Sequence, residues 1–152
     1  DQPFRLNLQL LPSYPNILKN VADALSERIN SDAFEKVVCP LDTVALTTLV
    51  SQKTGLSMVY SQGRGGSPVH DLVGAYDVGH HTLMIVNVWN GDHDLIDRAA
   101  RVGLDIDQVM SVISLIEGAE SLLNFREIMD DVDLPSGQAN AVHRWLDQNR
   151  TG

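Results

Sequence analysis

The densest run of proton-handling side chains in the chain is Asp92-His93-Asp94, two carboxylates around an imidazole. At the end of a strand such a cluster could act as a general acid and base, because these groups exchange protons within a few pH units of neutrality. A plainer role competes with it. Asp92 or Asp94 can cap a following helix, and acids in a first helical turn are favoured by the helix dipole. Binding of a cationic or polar ligand is the third reading, and capping is the default among the three. Asn87, Trp89, Asn90 and Gly91 lie just upstream and are candidate ligand-binding residues. Trp89 could stack on a planar ring or fill space, and space-filling is the preferred role.

Other residues invite chemistry less strongly. His80, His81 and His93, with Asp92 and Asp94, are metal-ligating types, but their spacing matches no zinc motif. Adjacent His80 and His81 would point to opposite faces of a strand. No metal site is expected. Cys39 is the only cysteine, so no intrachain disulfide can form, and with no histidine near it in sequence it reads as a small core residue. Arg64 is the one cation of the small loop Gly63 to Ser67, which is either an anion-binding flap or a surface loop. Asp42 and Thr43 follow a strand and complete the ligand-binding candidates.

The elements that would position these residues follow from hydrophobic spacing. Continuous β-branched or apolar runs predict strands at Lys36 to Cys39, Ser57 to Tyr60, Thr82 to Val88 and Val109 to Ile116. Helical spacing predicts a first helix from Pro15 to Ile29 and a second, capped by Asp42, that ends at Gly55. A third runs from Asp94 to Val102 before Gly103. Two more are predicted around Glu120 to Met129 and Gln138 to Gln148. This order is that of a doubly wound parallel sheet with helices on both faces, an α/β domain. Ligands bind such sheets at the carboxyl ends of the strands, which is where Asp42 and the segment from Asn87 to Asp94 fall.

Composition narrows the partners. The 152 residues are enough for a single domain, residues 1–152. With 11 basic against 20 acidic residues the formal charge is −9, which argues against nucleic acid and anionic membrane. One phosphate could still be held by backbone amides at a helix start. The apolar segment Leu83 to Val88, interrupted by Asn87, is far short of a membrane span, so a soluble, cytoplasmic protein is expected.

Three stretches together resemble the orotate phosphoribosyltransferase branch of the type I phosphoribosyltransferases. Phe4-Arg5-Leu6-Asn7-Leu8, followed by Leu11-Pro12-Ser13-Tyr14-Pro15, resembles the family's entry strand and first core helix. Gly55-Leu56-Ser57-Met58-Val59-Tyr60, then a loop, then Leu72-Val73-Gly74 and Gly79, resembles its strand, flexible catalytic loop and return. Val109 to Ile116 with Glu117-Gly118-Ala119-Glu120-Ser121-Leu122 is similar to its late strand and acidic turn. The resemblance implies a phosphoribosyltransferase-like, Rossmann-like domain with its hood region reduced or absent, and a homodimer.

The family's most specific signature is a strand ending in two acids, followed by a Thr- and Gly-rich loop around the 5-phosphate of phosphoribosyl pyrophosphate. By register, Val86 and Asn87 stand in place of the acids, and Trp89-Asn90-Gly91-Asp92-His93-Asp94 replaces the loop. The pyrophosphate loop reads Cys39-Pro40-Leu41-Asp42-Thr43, without glycine. Ser61 and Gln62 stand where basic residues are expected. The resulting expectation is a catalytically inactive phosphoribosyltransferase-fold protein with a binding, regulatory or assembly role, and no cofactor. One alternative is a divergent orotate-type or nucleotide-handling enzyme using Asp92, His93 or Asp94, with magnesium and a nucleotide or sugar-phosphate ligand. Another is a structural subunit with a protein partner.

Overall fold

A computed structural model describes residues 2–63 and 71–150. Helix α1 (Pro15–Arg28) leads to strand β1 (Lys36–Cys39), helix α2 (Val44–Thr54) and strand β2 (Ser57–Ser61). The two-residue strand β3 (Leu72–Val73) precedes β4 (His81–Trp89), α3 (Asp94–Arg101) and β5 (Asp105–Ser114). Strand β6 (Glu120–Asn124), α4 (Phe125–Asp131) and α5 (Ser136–Gln148) complete the chain.

The sheet order is β3-β2-β1-β4-β5-β6, parallel except where β3 returns antiparallel on β2. The β1-α2-β2 crossover moves outward in one direction and β4-α3-β5 in the other, so right-handed connections place α2 and α3 on opposite faces. The strand order therefore reverses between β1 and β4. β1 is buried throughout and β4 nearly so, as a strand covered on both faces must be. α1 buries Leu18, Ala22 and Leu25 and packs on α2. Pro15 occupies its first turn, where a missing N–H costs nothing. Leu25 is fully enclosed, so truncating it to Ala would cost about 2–5 kcal/mol.

Four differences from the sequence-based expectation have identifiable causes. The segment expected to be helical from Glu120 is strand β6 up to Asn124, paired in parallel with β5 from Met110 to Ser114. Edge pairing overrides local helical spacing there, and the Asn124 side chain then caps α4 by accepting from the Arg126 amide at 2.9 Å. Strand β5 begins at Asp105, four residues before the expected start, because its first residues pair with β4; the exposed Asp105 and Asp107 interrupt the apolar run that would have revealed it. The entry segment around Phe4 to Leu8 forms no strand; Leu8–Ser13 is a 3-10 turn. Phe4 instead packs on Phe125 and Trp145, with ring centroids 4.5 and 5.2 Å apart. Lastly, Asp42 does not cap α2, which is entered through the 3-10 turn Leu41–Thr43 with Thr43 at the N-cap position.

Candidate functional site

A cavity of about 500 Å³ opens at the carboxyl ends of β1 and β4, where the strand order reverses. Asp42 borders it after β1, and Asn87, Trp89 and Asn90 border it from β4. Asp92, Asp94 and Arg98 close the side of α3, while Arg5, Asn7 and Leu8 form the wall opposite in sequence. Most of the candidate residues therefore meet in one place. Thr43 supports them from beneath, and Gly91 forms the turn with φ of +83°. Arg64 and most of its loop lie outside the described residues.

The end of β4 is tied to the loop after β1. Thr43 is almost fully buried; its Oγ1 accepts from the Asn87 backbone N–H at 3.3 Å and donates to Asp42 Oδ1 at 3.0 Å. Asn87 Nδ2 donates to the Asp42 carbonyl at 3.0 Å. This bond fixes the orientation of the amide, since Oδ1 in that place would oppose another oxygen. Val86, the preceding residue, is buried and contributes no polar atom.

The turn from β4 into α3 consists of two nested Asx turns. Asn90 Oδ1 accepts from the Asp92 N–H at 3.0 Å, and Asp92 Oδ1 accepts from the Asp94 N–H at 2.9 Å. The Asp92 and Asp94 amides at this turn are thus occupied by the chain's own side-chain oxygens. His93 sits at the N-cap position without a side-chain cap bond, so Asp92 serves α3 from one residue upstream. Asp94 lies in the first turn and accepts from Arg98 Nε at 2.9 Å, an i,i+4 pair.

His93 is directed elsewhere. Its Nδ1 lies 2.7 Å from the Gly91 carbonyl, which can only accept, so Nδ1 carries the proton in the neutral ring. The ring stands edge-on to Trp89 at 5.3 Å and 73°. It borders a separate depression with Ile96, Gly118 and Glu120, whereas Asp92 and Asp94 border the main cavity. The imidazole and the two carboxylates do not converge on one point. Trp89 is 3% exposed and donates from Nε1 to the Glu117 carbonyl at 3.0 Å, with Gly118 packed against its ring. It fills space between β4 and the turn after β5.

Sequence reasoning missed the cationic side of the site. Arg98 reaches from α3 to Asp71, donating from Nη1 to the Asp71 Oδ2 and to Ser61 Oγ, the latter at 3.0 Å. Ser61 Oγ also donates to Asp71 Oδ2 at 2.7 Å, and the Gln62 N–H bonds the Asp71 carbonyl at 3.0 Å. Asp71 and Ser61 are each 1% exposed. The i,i+4 spacing of Asp94 and Arg98 is the one local signal that could have pointed to it; Asp71 lies 27 residues from Arg98 and carries none. Arg5 was read as part of a strand and instead borders the cavity.

The remaining candidates lie apart. Cys39 is fully buried, and burial pushes its thiol up to about 12, so it is protonated and no nucleophile at neutral pH. His80 and His81 stand at the opposite end of β4 from the cavity, where His81 Nδ1 lies 2.7 Å from Asp107 Oδ2. Among the described residues no three His, Cys, Asp or Glu side chains converge as a metal site would require. Nor, among them, is any helix long and apolar enough to cross a membrane.

A six-stranded, mostly parallel, doubly wound sheet with helices on both faces and an antiparallel return is the phosphoribosyltransferase-like α/β fold. Solved structures share this fold. A UMP synthase from Leishmania donovani matches with a TM-score of 0.73 at 16% identity, over 94% of this chain and 36% of that one. The chain therefore spans about a third of that protein's length. Orotate phosphoribosyltransferases from Aeropyrum pernix and Francisella tularensis match with TM-scores of 0.64 and 0.56 at 11% and 14% identity. These matches cover 84% and 90% of this chain, and 82% and 78% of those. No family model matches the sequence, and no curated protein does. At such identities the likeness is one of fold.

Proposed function

We propose that this chain is a phosphoribosyltransferase-fold protein that does not transfer phosphoribosyl groups and acts by binding, as a regulatory or assembly component. The observation that carries the reading is the turn from β4 into α3. In a donor-binding site, open backbone amides would face a phosphate. Here Asn90 and Asp92 take up the Asp92 and Asp94 amides, and the Asp92 and Asp94 carboxylates border the cavity. A phosphate dianion at this turn would meet like charge. The strand end weakens the case for magnesium in the same way, since the Val86 side chain has no oxygen and Asn87 offers an uncharged amide rather than a carboxylate. No step through a metal follows from these residues. The protein is expected to be cytoplasmic and homodimeric.

The test is incubation with phosphoribosyl pyrophosphate, magnesium and orotate, uracil or a purine base. No pyrophosphate release is expected, and measurable turnover overturns the proposal. The open cavity favours one second reading, a divergent orotate-type enzyme working through Asp92 or Asp94. That reading requires calorimetric binding of a nucleotide or sugar phosphate that falls in Asn87→Ala and Asp92→Ala.

A further inference from the structure

Leu10, Tyr14 and Ile17 turn large apolar side chains to solvent, at 54%, 56% and 52% exposure. Tyr14 and Ile17 lie about one turn apart at the start of α1, and Leu10 belongs to the 3-10 turn that leads into it. Pro12, Ser13, Pro15 and Asn16 between them are exposed as well. The inner side of the same segment is fixed: Leu18 is buried, and Leu8 and Leu11 pack against the core. The exposed side chains are therefore the outer face of an anchored element.

Charge sets this face apart. No charged residue occurs between Arg5 and Lys19, in a chain whose formal charge is −9. The first acid beyond it, Asp23, is held by Lys19 at 2.6 Å and by Lys53. Other exposed apolar side chains are guarded by carboxylates, since Leu41 precedes Asp42, Val78 follows Asp77, and Val132 lies between Asp131 and Asp133. Such neighbours discourage association. An uncharged apolar surface that carries a tyrosine has instead the make-up of the centre of a protein interface.

The charge distribution also selects the occupant. Two copies of an acidic chain repel each other over most of their surface, and the acid-free face is where they can approach without opposing carboxylates. Used head to tail, this face would leave one copy uncovered at the end of every assembly; used against itself about a two-fold axis, it closes in a dimer. An anionic membrane is a poorer match, because its headgroups repel the rest of the chain. Resting on the reading of this chain as a homodimeric assembly component, we propose that the face centred on Leu10, Tyr14 and Ile17 is where a second copy docks, the two faces packing on each other across the axis. Residues 5–9 of the same segment form a wall of the cavity, so docking braces that wall.

Sedimentation velocity of the whole chain over a range of concentrations reads the association. A dimer is expected, with its dissociation constant raised at least about tenfold in Tyr14→Glu and in Ile17→Glu. Added salt should partly restore both, because each substitution sets like charges on the two sides of the axis. Ile17→Glu places an acid in the first turn of α1, where the helix dipole favours it, so its helix content and urea midpoint should match those of the parent. Val78→Glu and Val132→Glu should associate as the parent does. The Tyr14 ring resonances of the parent should also shift on dilution, a readout that needs no variant. The inference is overturned by a parent that stays monomeric, by a dimer indifferent to both N-terminal substitutions, or by one weakened equally by those at Val78 and Val132. A monomer that binds anionic phospholipid vesicles through this face overturns it too. Pyrophosphate release from phosphoribosyl pyrophosphate would instead overturn the functional reading on which the inference rests, so the two failures are distinguishable.

Discussion

Arg98 and Asp71 form an ion pair that joins helix α3 to the start of β3, with the carboxylate almost wholly enclosed and the guanidinium one-fifth exposed. Because Arg98 Nε also holds Asp94, a single planar group links a buried acid to one at the cavity rim. Removing Arg98 takes a charge-assisted donor from a nearly enclosed carboxylate, which keeps its hydrogen bond from Ser61 Oγ. Arg98→Ala is expected to destabilise the protein by about 1.5–3 kcal/mol in urea unfolding. Asp94→Ala breaks only an exposed contact and should cost under about 1 kcal/mol. Equal costs for the two would show that the buried contact has no special weight.

The close passage of β3 past β2 depends on Gly74. Its φ is +131°, and a Cβ there would lie 2.7 Å from the Met58 carbonyl oxygen, a backbone atom that cannot turn away. Gly55, after α2, also has positive φ, +77°, but nothing lies within 4 Å of the position its Cβ would take. Gly55→Ala should therefore carry only the left-handed backbone cost, about 1–2 kcal/mol. Gly74→Ala adds a steric clash and is expected to lower the denaturation midpoint more. Hydrogen exchange should speed up at the Tyr60 to Val73 pairing in Gly74→Ala alone.

The contrast between these glycines reflects what could be read from sequence. The helix stop at Gly55 is a local signal, and so were Pro15 at the start of α1 and the apolar runs of β1 and β4. Elements set by distant pairing were harder to read. Strand β6 owes its form to β5, and its serine hydroxyl at Ser121 meets Ser114 at 3.0 Å across the pair, a contact invisible in either segment alone. The same division runs through the cavity. Asp42, Asn87, Asp92 and Asp94 were found because strand ends are predictable, whereas Arg98 and Asp71 meet only through the fold. The direction of His93 also depended on tertiary contacts, here Trp89 and Gly91.

His81 gives the chain a pH-dependent contact far from the cavity. The hydrogen bond to Asp107 is the main cause of its raised pKa, and the charges of Asp107, Glu35 and Asp105 add to it. The Glu35 carboxylate also accepts from the His81 backbone N–H at 2.6 Å. A folded-state pKa above the ordinary 6.5 means that the contribution is fully present below pH 6.5 and is lost as pH rises through the raised value. The stability advantage of the parent over Asp107→Asn should accordingly be larger at about pH 5.5 than at about pH 9. An NMR titration of the His81 ring in Asp107→Asn should move toward 6.5. An unchanged titration would remove Asp107 as the cause.

Asn87→Asp puts an acid at the end of β4 and tests whether one residue separates this chain from a donor-binding site. The geometry predicts the opposite of a rescue. Asn87 Nδ2 donates to the Asp42 carbonyl, and an aspartate would set a carboxylate oxygen against that carbonyl oxygen in a nearly buried position. The lost bond and the oxygen contact together should cost about 1–3 kcal/mol. The added negative charge would also lie beside Asp42 and near Asp92, making phosphate less welcome still. The expected variant is less stable in thermal and urea unfolding, with the deficit shrinking as pH falls and the new carboxyl group takes up a proton. It should release no pyrophosphate from phosphoribosyl pyrophosphate and magnesium. Turnover in Asn87→Asp, with none in the parent, would mean that the turn at Asn90 and Asp92 can open around a phosphate and that Asn87 alone blocks the chemistry.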